Sequence, residues 1–108
     1  MEIKESTYKD IPVISVSKMF NLSGTNTVQS IINKHNNHII IDLSGLLNMD
    51  STAIGLIMRN TISLNSKGKK FALVGNDRIK TILAMAHLDD AVKAFNSVEE
   101  AYSHILEK

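Results

Sequence analysis

Chemistry in this chain concentrates in one block, Met49-Asp50-Ser51-Thr52, where a carboxylate is followed by two adjacent hydroxyls. The apolar residues after it, Ile54, Ile57, Met58 and Ile62, fall on one stripe at helical spacing, so the block opens a helix. There Asp50 or Ser51 can cap the first free backbone N–H groups, an interaction worth ~1 kcal/mol. One cap needs one side-chain oxygen, and an acid with two hydroxyls supplies more than that. The other candidates carry less. His35 and His38 straddle an Asn-Asn turn without carboxylates at ligand spacing, and His87 and His104 stand alone in sequence. A metal site needs a defined set of three or four donors, and none is displayed. Ser51 has no Gly-x-Ser-x-Gly context, and no Ser–His–Asp triad can be read from separated residues. Gly24 and Gly75 are isolated, which leaves no phosphate loop or dinucleotide fingerprint. Lys67, Lys69 and Lys70 read as a solvated turn ahead of a strand. No catalytic residue, metal or cofactor is expected.

Holding that block in place takes a β/α chain. Residues 3–8 and 12–16 suit two strands joined by a Lys9-Asp10 turn. Val13-Ile14-Ser15-Val16-Ser17 alternates as a half-buried strand does, and Pro12, lacking an N–H, is expected at that strand's first position. Segment 21–26 is a turn-rich loop whose Ser, Thr and Asn can cap a helix over 28–35, with Val28, Ile31 and Ile32 as its stripe. Ile39-Ile40-Ile41 reads as a strand buried on both faces, running into Asp42. The helix opened by Asp50 or Ser51 closes at Ser66-Lys67-Gly68 with a terminal Gly. Residues 71–74 form another buried strand, stopped by Gly75-Asn76-Asp77. Ile79, Ile82, Leu83 and Met85 mark a third helix, residues 92–95 a brief strand, and Ser97-Val98-Glu99-Glu100 a capping box before a last helix. The order β-β-α-β-α-β-α-β-α predicts an α/β fold. It is one domain over residues 1–108, with a mixed sheet of four to five strands flanked by about four helices.

Composition narrows the function classes. The chain has 108 residues, 44% hydrophobic and 21% charged, ordinary values for one soluble globular domain. Twelve Lys and Arg against eleven Asp and Glu leave a net charge of +1, without the basic footprint of a general nucleic-acid binder. With no cysteine there is no disulfide, thiol nucleophile or Cys-ligated metal. Met1-Glu2-Ile3-Lys4-Glu5 lacks the apolar core of a signal peptide, and no run of ~18 apolar residues is present to cross a membrane. A cytoplasmic protein is expected.

Asp42-Leu43-Ser44 followed by Met49-Asp50-Ser51-Thr52-Ala53-Ile54-Gly55 resembles the signature of STAS domains, the bacterial anti-anti-sigma factor (anti-sigma factor antagonist) family. Its pattern is a strand ending in Asp-Leu-Ser, a short hydrophobic loop, then Asp-Ser-Ser/Thr-Gly-Leu-Gly on a helix. The likeness continues through residues 79–88, 92–95 and 97–101 and so covers nearly the whole chain. The resemblance implies a phosphorylation switch. In the family, the Ser directly after the Asp is phosphorylated by a partner kinase that is commonly also an anti-sigma factor; here that residue is Ser51. The unphosphorylated form binds this anti-sigma factor/serine protein kinase and frees a sigma factor to activate transcription. Phosphorylation blocks the binding, and a phosphatase restores it. The resemblance places partner contacts at Asp50, Thr52 and Ala53, and at Phe20 and Asn21 in a loop of the family's partner face.

The chain departs from the family pattern at three places. Ala53 stands where the family has Gly, Ser17-Lys18-Met19-Phe20-Asn21 where it commonly has Gly-x-Leu-Asp, and Asn48 at an often apolar position. The physics suits a switch nonetheless. A phosphate adds about −1.5 to −2 charges, which the N–H groups and dipole of a helix start tolerate. A partner packed against that dianion must desolvate it, so modification is expected to control association rather than folding. Two further readings keep the fold without the switch. One is a non-phosphorylated STAS subunit of a lipid-transport or stress-sensing complex, in which Ser51 and Thr52 dock or cap. The other, a small-molecule or nucleotide-binding domain, rests on fold analogy alone.

Overall fold

Two strands joined by a two-residue turn open the chain: β1 (Glu2–Tyr8) and β2 (Ile11–Phe20) pair antiparallel, with Tyr8 opposite Ile11. Lys9 and Asp10 both take positive φ, 49° and 68°, the left-handed pair that a tight hairpin turn with the right twist requires. The computed structural model describes residues 2–107. After the hairpin come α1 (Leu22–Lys34), β3 (Ile39–Asp42), β4 (Leu46–Met49), α2 (Ser51–Ser66), β5 (Phe71–Val74), α3 (Asp77–Met85), β6 (Ala94–Phe95) and α4 (Val98–Leu106). The sheet runs β1-β2-β3-β5-β6, and β4 pairs with the far end of β2. Only the β1–β2 pairing among these is antiparallel. The fold is mixed α/β, as expected.

Its sheet, however, holds six strands rather than four to five. The extra strand, β4, was expected as loop, because Leu46, Leu47 and Met49 are broken by Asn48 and do not alternate. It forms because β2 runs to Phe20, past the end of β3, and offers a free edge there: Lys18 pairs with Leu46, Met19 with Asn48 and Phe20 with Met49. Helix α1 begins at Leu22, six residues ahead of the expected start at 28, since its polar first turns carry no apolar stripe. Pro12 sits second in β2, opposite Thr7, and the last strand contains only Ala94 and Phe95.

Alternation along the strands builds two cores. On one face Ile14, Val16, Phe20, Ile39, Ile41 and Leu73 pack against α1, α2 and α3 through Val28, Leu56, Ile57, Ile79 and Leu83. On the other, Ile11, Val13, Ile40, Ala72 and Val74 pack against Ala101 and Ile105 of α4. Between α1 and α2 lies one polar pair: Asn60, only 4% exposed, exchanges hydrogen bonds of 2.8 and 3.1 Å with the Gln29 amide. Asn60 also donates to the Leu56 carbonyl at 2.8 Å. Among the described residues no buried side-chain nitrogen or oxygen lacks a partner.

Helix α2 ends as the Gly68 signal requires. Gly68 has φ 74°, its N–H donates to the Asn65 carbonyl at 3.1 Å, and the Lys69 N–H reaches back to Leu64 at 2.8 Å. Helix α3 closes by the same pattern with His87 at φ 59°. At the opposite end of the strands from α2's start, the Lys70 N–H donates to His38 Nδ1 at 2.9 Å. The Lys70 ammonium meanwhile caps α4 through the carbonyls of His104 and Glu107. Burial, then the charges of Lys69 and Lys70, hold the His38 imidazole below its ordinary value of 6.5.

Two outcomes follow. A Cβ at Gly68 meets nothing within 4 Å, so Gly68→Ala should cost only the left-handed conformation, about 1 kcal/mol, read from urea denaturation. For His38 the folded pKa lies below the unfolded one, so the unfolded chain binds the proton first as pH falls. Stability should therefore decline from about pH 6.5 down to the folded pKa and then level off. Denaturation midpoints of His38→Gln should be flatter over that window.

Candidate functional site

The register of two parallel strands decides where the hydroxyls of the 49–52 block stand. Phe20 of β2 lies opposite Met49 of β4, and both strands then turn directly into helices. Asn21 is the N-cap of α1 and Asp50 the N-cap of α2, so the two helix starts lie side by side. The Asp50 N–H donates to the Phe20 carbonyl at 3.1 Å and ties the two exits together. A third helix start completes this edge. Asn76, N-cap of α3, accepts from the Ile79 N–H at 2.9 Å and donates to the carbonyls of Ser44 and Leu46, both at 3.0 Å. It thereby braces the loop that leads into β4.

Asp50 is the capping residue of the two candidates. One carboxylate oxygen accepts from the Thr52 N–H at 3.0 Å, the Ala53 N–H at 3.1 Å and the Thr52 hydroxyl. The Thr52 hydroxyl is the main reason its carboxyl stays below the usual range. Burial pushes the other way, and the backbones of Ala53, Thr52 and Leu22 add to the lowering. This divides the two hydroxyls. Thr52 is half-buried with its hydroxyl committed to Asp50, whereas Ser51, first residue of α2, is exposed and its hydroxyl has no partner among the described residues.

The structure separates the remaining expected site residues. Ala53 is fully buried in the larger core, so the methyl that replaces the family Gly faces inward. Phe20 is likewise fully buried; expected on a partner face, its side chain instead fills the core, because residues 17–20 continue β2 rather than forming a loop. Asn21 is half-buried beside Asp50, and its side-chain oxygen accepts from the Ser23 hydroxyl at 2.8 Å instead of capping the backbone. Three exposed apolar residues not singled out from sequence lie on the elements that lead into the two helix starts. Met19, Leu22 and Leu47 are 46%, 60% and 65% exposed, in β2, at the first position of α1 and in β4 respectively. At Leu22 the only signal was an apolar side chain inside a polar stretch. Among the described residues no group of three or more His, Asp or Glu is placed to hold a metal, and no helix is long and apolar enough to cross a membrane.

The model for the STAS domain family matches residues 8–101. The chain belongs to the STAS family. A Thermotoga maritima protein named as an anti-sigma factor antagonist is 28% identical over 105 residues, covering 92% of this chain and 93% of its own. Two solved structures share the fold. The anti-sigma factor antagonist from Mycobacterium paratuberculosis superimposes with a TM-score of 0.85 at 14% identity, over 98% of this chain and 94% of that one. The Bacillus cell fate determinant SpoIIAA, in its phosphorylated form, gives 0.70 at 15% identity, over 96% and 99%. In this STAS domain the cap is open to a direct test. Asp50→Ala should lower stability by about 1–2 kcal/mol by removing the α2 cap, whereas Asp50→Asn, which keeps an accepting oxygen, should lie within about 0.5 kcal/mol of the parent in urea denaturation.

Proposed function

We propose that this STAS domain is an anti-sigma factor antagonist whose partner binding is switched by phosphorylation of Ser51. The observation that carries the reading is the division of labour at the start of α2. Thr52 and Asp50 are tied to each other and to the helix, while the Ser51 hydroxyl stands exposed with no partner among the described residues. The name of the Thermotoga maritima relative supports the same function.

In the unmodified state the partner, an anti-sigma factor that is also a serine kinase, packs on the paired helix starts that carry Ser51. Its sequestration frees a sigma factor to activate transcription in the cytoplasm. To reset the pair, the Ser51 Oγ attacks the γ-phosphorus of ATP held by the kinase, the bond to ADP breaks, and ADP departs. The hydroxyl proton passes to a base on the kinase, because Asp50 is turned toward the helix N–H groups. The product carries about −1.5 to −2 new charges, moving the net charge from +1 to about −1. Packing a partner over that dianion would strip its water, so the complex dissociates while α2 stays capped. A phosphatase that hydrolyses the phosphoserine restores binding. The reading involves no direct contact with nucleic acid.

Incubation with ATP and the cognate kinase should place one phosphate on Ser51 by mass spectrometry. Thr52→Ala should leave that position modified, and Ser51→Ala should abolish it. Phosphorylation, or Ser51→Asp, should weaken partner binding by about 100-fold or more in calorimetry. A Ser51→Asp chain that binds like the parent would sink the switch.

A further inference from the structure

Helix α2 runs for sixteen residues, and its only charged side chain is Arg59. Two surface lysines elsewhere are paired: Lys18 lies 3.7 Å from Glu2 and Lys34 lies 3.1 Å from Glu5. Arg59 has no carboxylate within ion-pair distance among the described residues. Its direction is informative. Ser51, Gly55 and Arg59 follow one another at successive turns of one face, exposed at both ends and half-buried at Gly55, and helical side chains lean toward the N-terminus. Arg59 does so here, with Nη1 3.3 Å from where a Cβ on Gly55 would stand. The guanidinium thus lies across the bare backbone of Gly55, one turn from Ser51, with no side chain between them.

A phosphate on Ser51 needs such a group. The N–H groups of Thr52 and Ala53, which would ordinarily receive an anion at a helix start, already donate to the Asp50 carboxylate. That carboxylate adds repulsion. We propose that Arg59 is the intramolecular receiver of the Ser51 phosphate, closing a charge-assisted contact along the Ser51–Gly55–Arg59 face of α2. Arginine suits the role because its planar donors match phosphate oxygens pairwise. The clamp draws the phosphate sideways along the helix, so that modification masks the Gly55 surface as well as charging the helix start. It rests on Ser51 being the modified residue.

The test installs phosphoserine at position 51 during translation, through a suppressor tRNA charged with phosphoserine, and follows the phosphate by ³¹P NMR. Its second pKa, near 6 when unperturbed, should lie about half a unit lower in the parent than in Arg59→Gln. Arg59→Lys should retain part of that shift. The Arg59 side-chain N–H resonance should move on phosphorylation in the parent. Parent and Arg59→Gln chains that are both folded by their amide spectra and titrate together would overturn the clamp. Because no kinase is used, such a failure would leave the kinase reading untouched. A kinase that ignores Ser51 would equally leave the titration result standing.

Discussion

Three backbone pairings at the end of β2 set the position of nearly everything that matters here. Along residues 11–17 this strand pairs with β1, and through 13–15 it also pairs with β3. At Lys18, whose φ of 71° marks the shift in register, it turns to receive β4 instead. A left-handed conformation at a residue with a Cβ is costly, and it persists because the pairing beyond it is worth more. The return is that two parallel strands finish in step and release their chains at the same level. Two helices can then begin next to each other with their unsatisfied N–H groups pointing to one edge.

At that edge one carboxylate organises the chemistry. Asp50 satisfies two backbone donors and one hydroxyl, which stabilises α2 and fixes Thr52 in place. What remains outside is a single serine on a rigid base. Such a base has two merits for a regulatory position. The hydroxyl is presented in a defined direction, and added charge finds a backbone that does not depend on Ser51 for its own cap. Ala53 and Phe20 contribute from beneath, by filling the core under the helix start, so the surface can change its charge while its foundation does not change its packing.

Much of this was legible in the residues. The β-branched runs of β3 and β5 read as central strands, Gly68 as a helix stop, and Ser97 as a cap, which accepts from the Glu100 N–H at 3.1 Å. The acid and two hydroxyls at 50–52 pointed to the helix start, although sequence left open whether Asp50 or Ser51 capped it. Other features were hidden for definite reasons. Strand β4 owes its existence to a partner edge far away in sequence, and four residues without alternation carry no sign of it. The early turns of α1 are polar, with Gly24 and Thr25 buried, so periodicity could not find them. Phe20 was misplaced outward because a strand end and a loop share the same short, mixed composition. Arg59 stands as the one charge in residues 51–66 of the sequence, but only the structure shows its guanidinium lying back over Gly55.

The amide pair between α1 and α2 has a mechanical meaning. Asn60 and Gln29 are matched to each other in both directions at a part-buried contact. Sliding one helix past the other by a turn would strand those donors and acceptors, at about 1–3 kcal/mol for each group left unmatched. Apolar side chains alone would permit such slippage at far lower cost, since one leucine-sized contact resembles the next. The pair therefore acts as a pin through two plates. It fixes the register of α1 against α2, and with it the relative level of the two helix starts at Leu22 and Ser51.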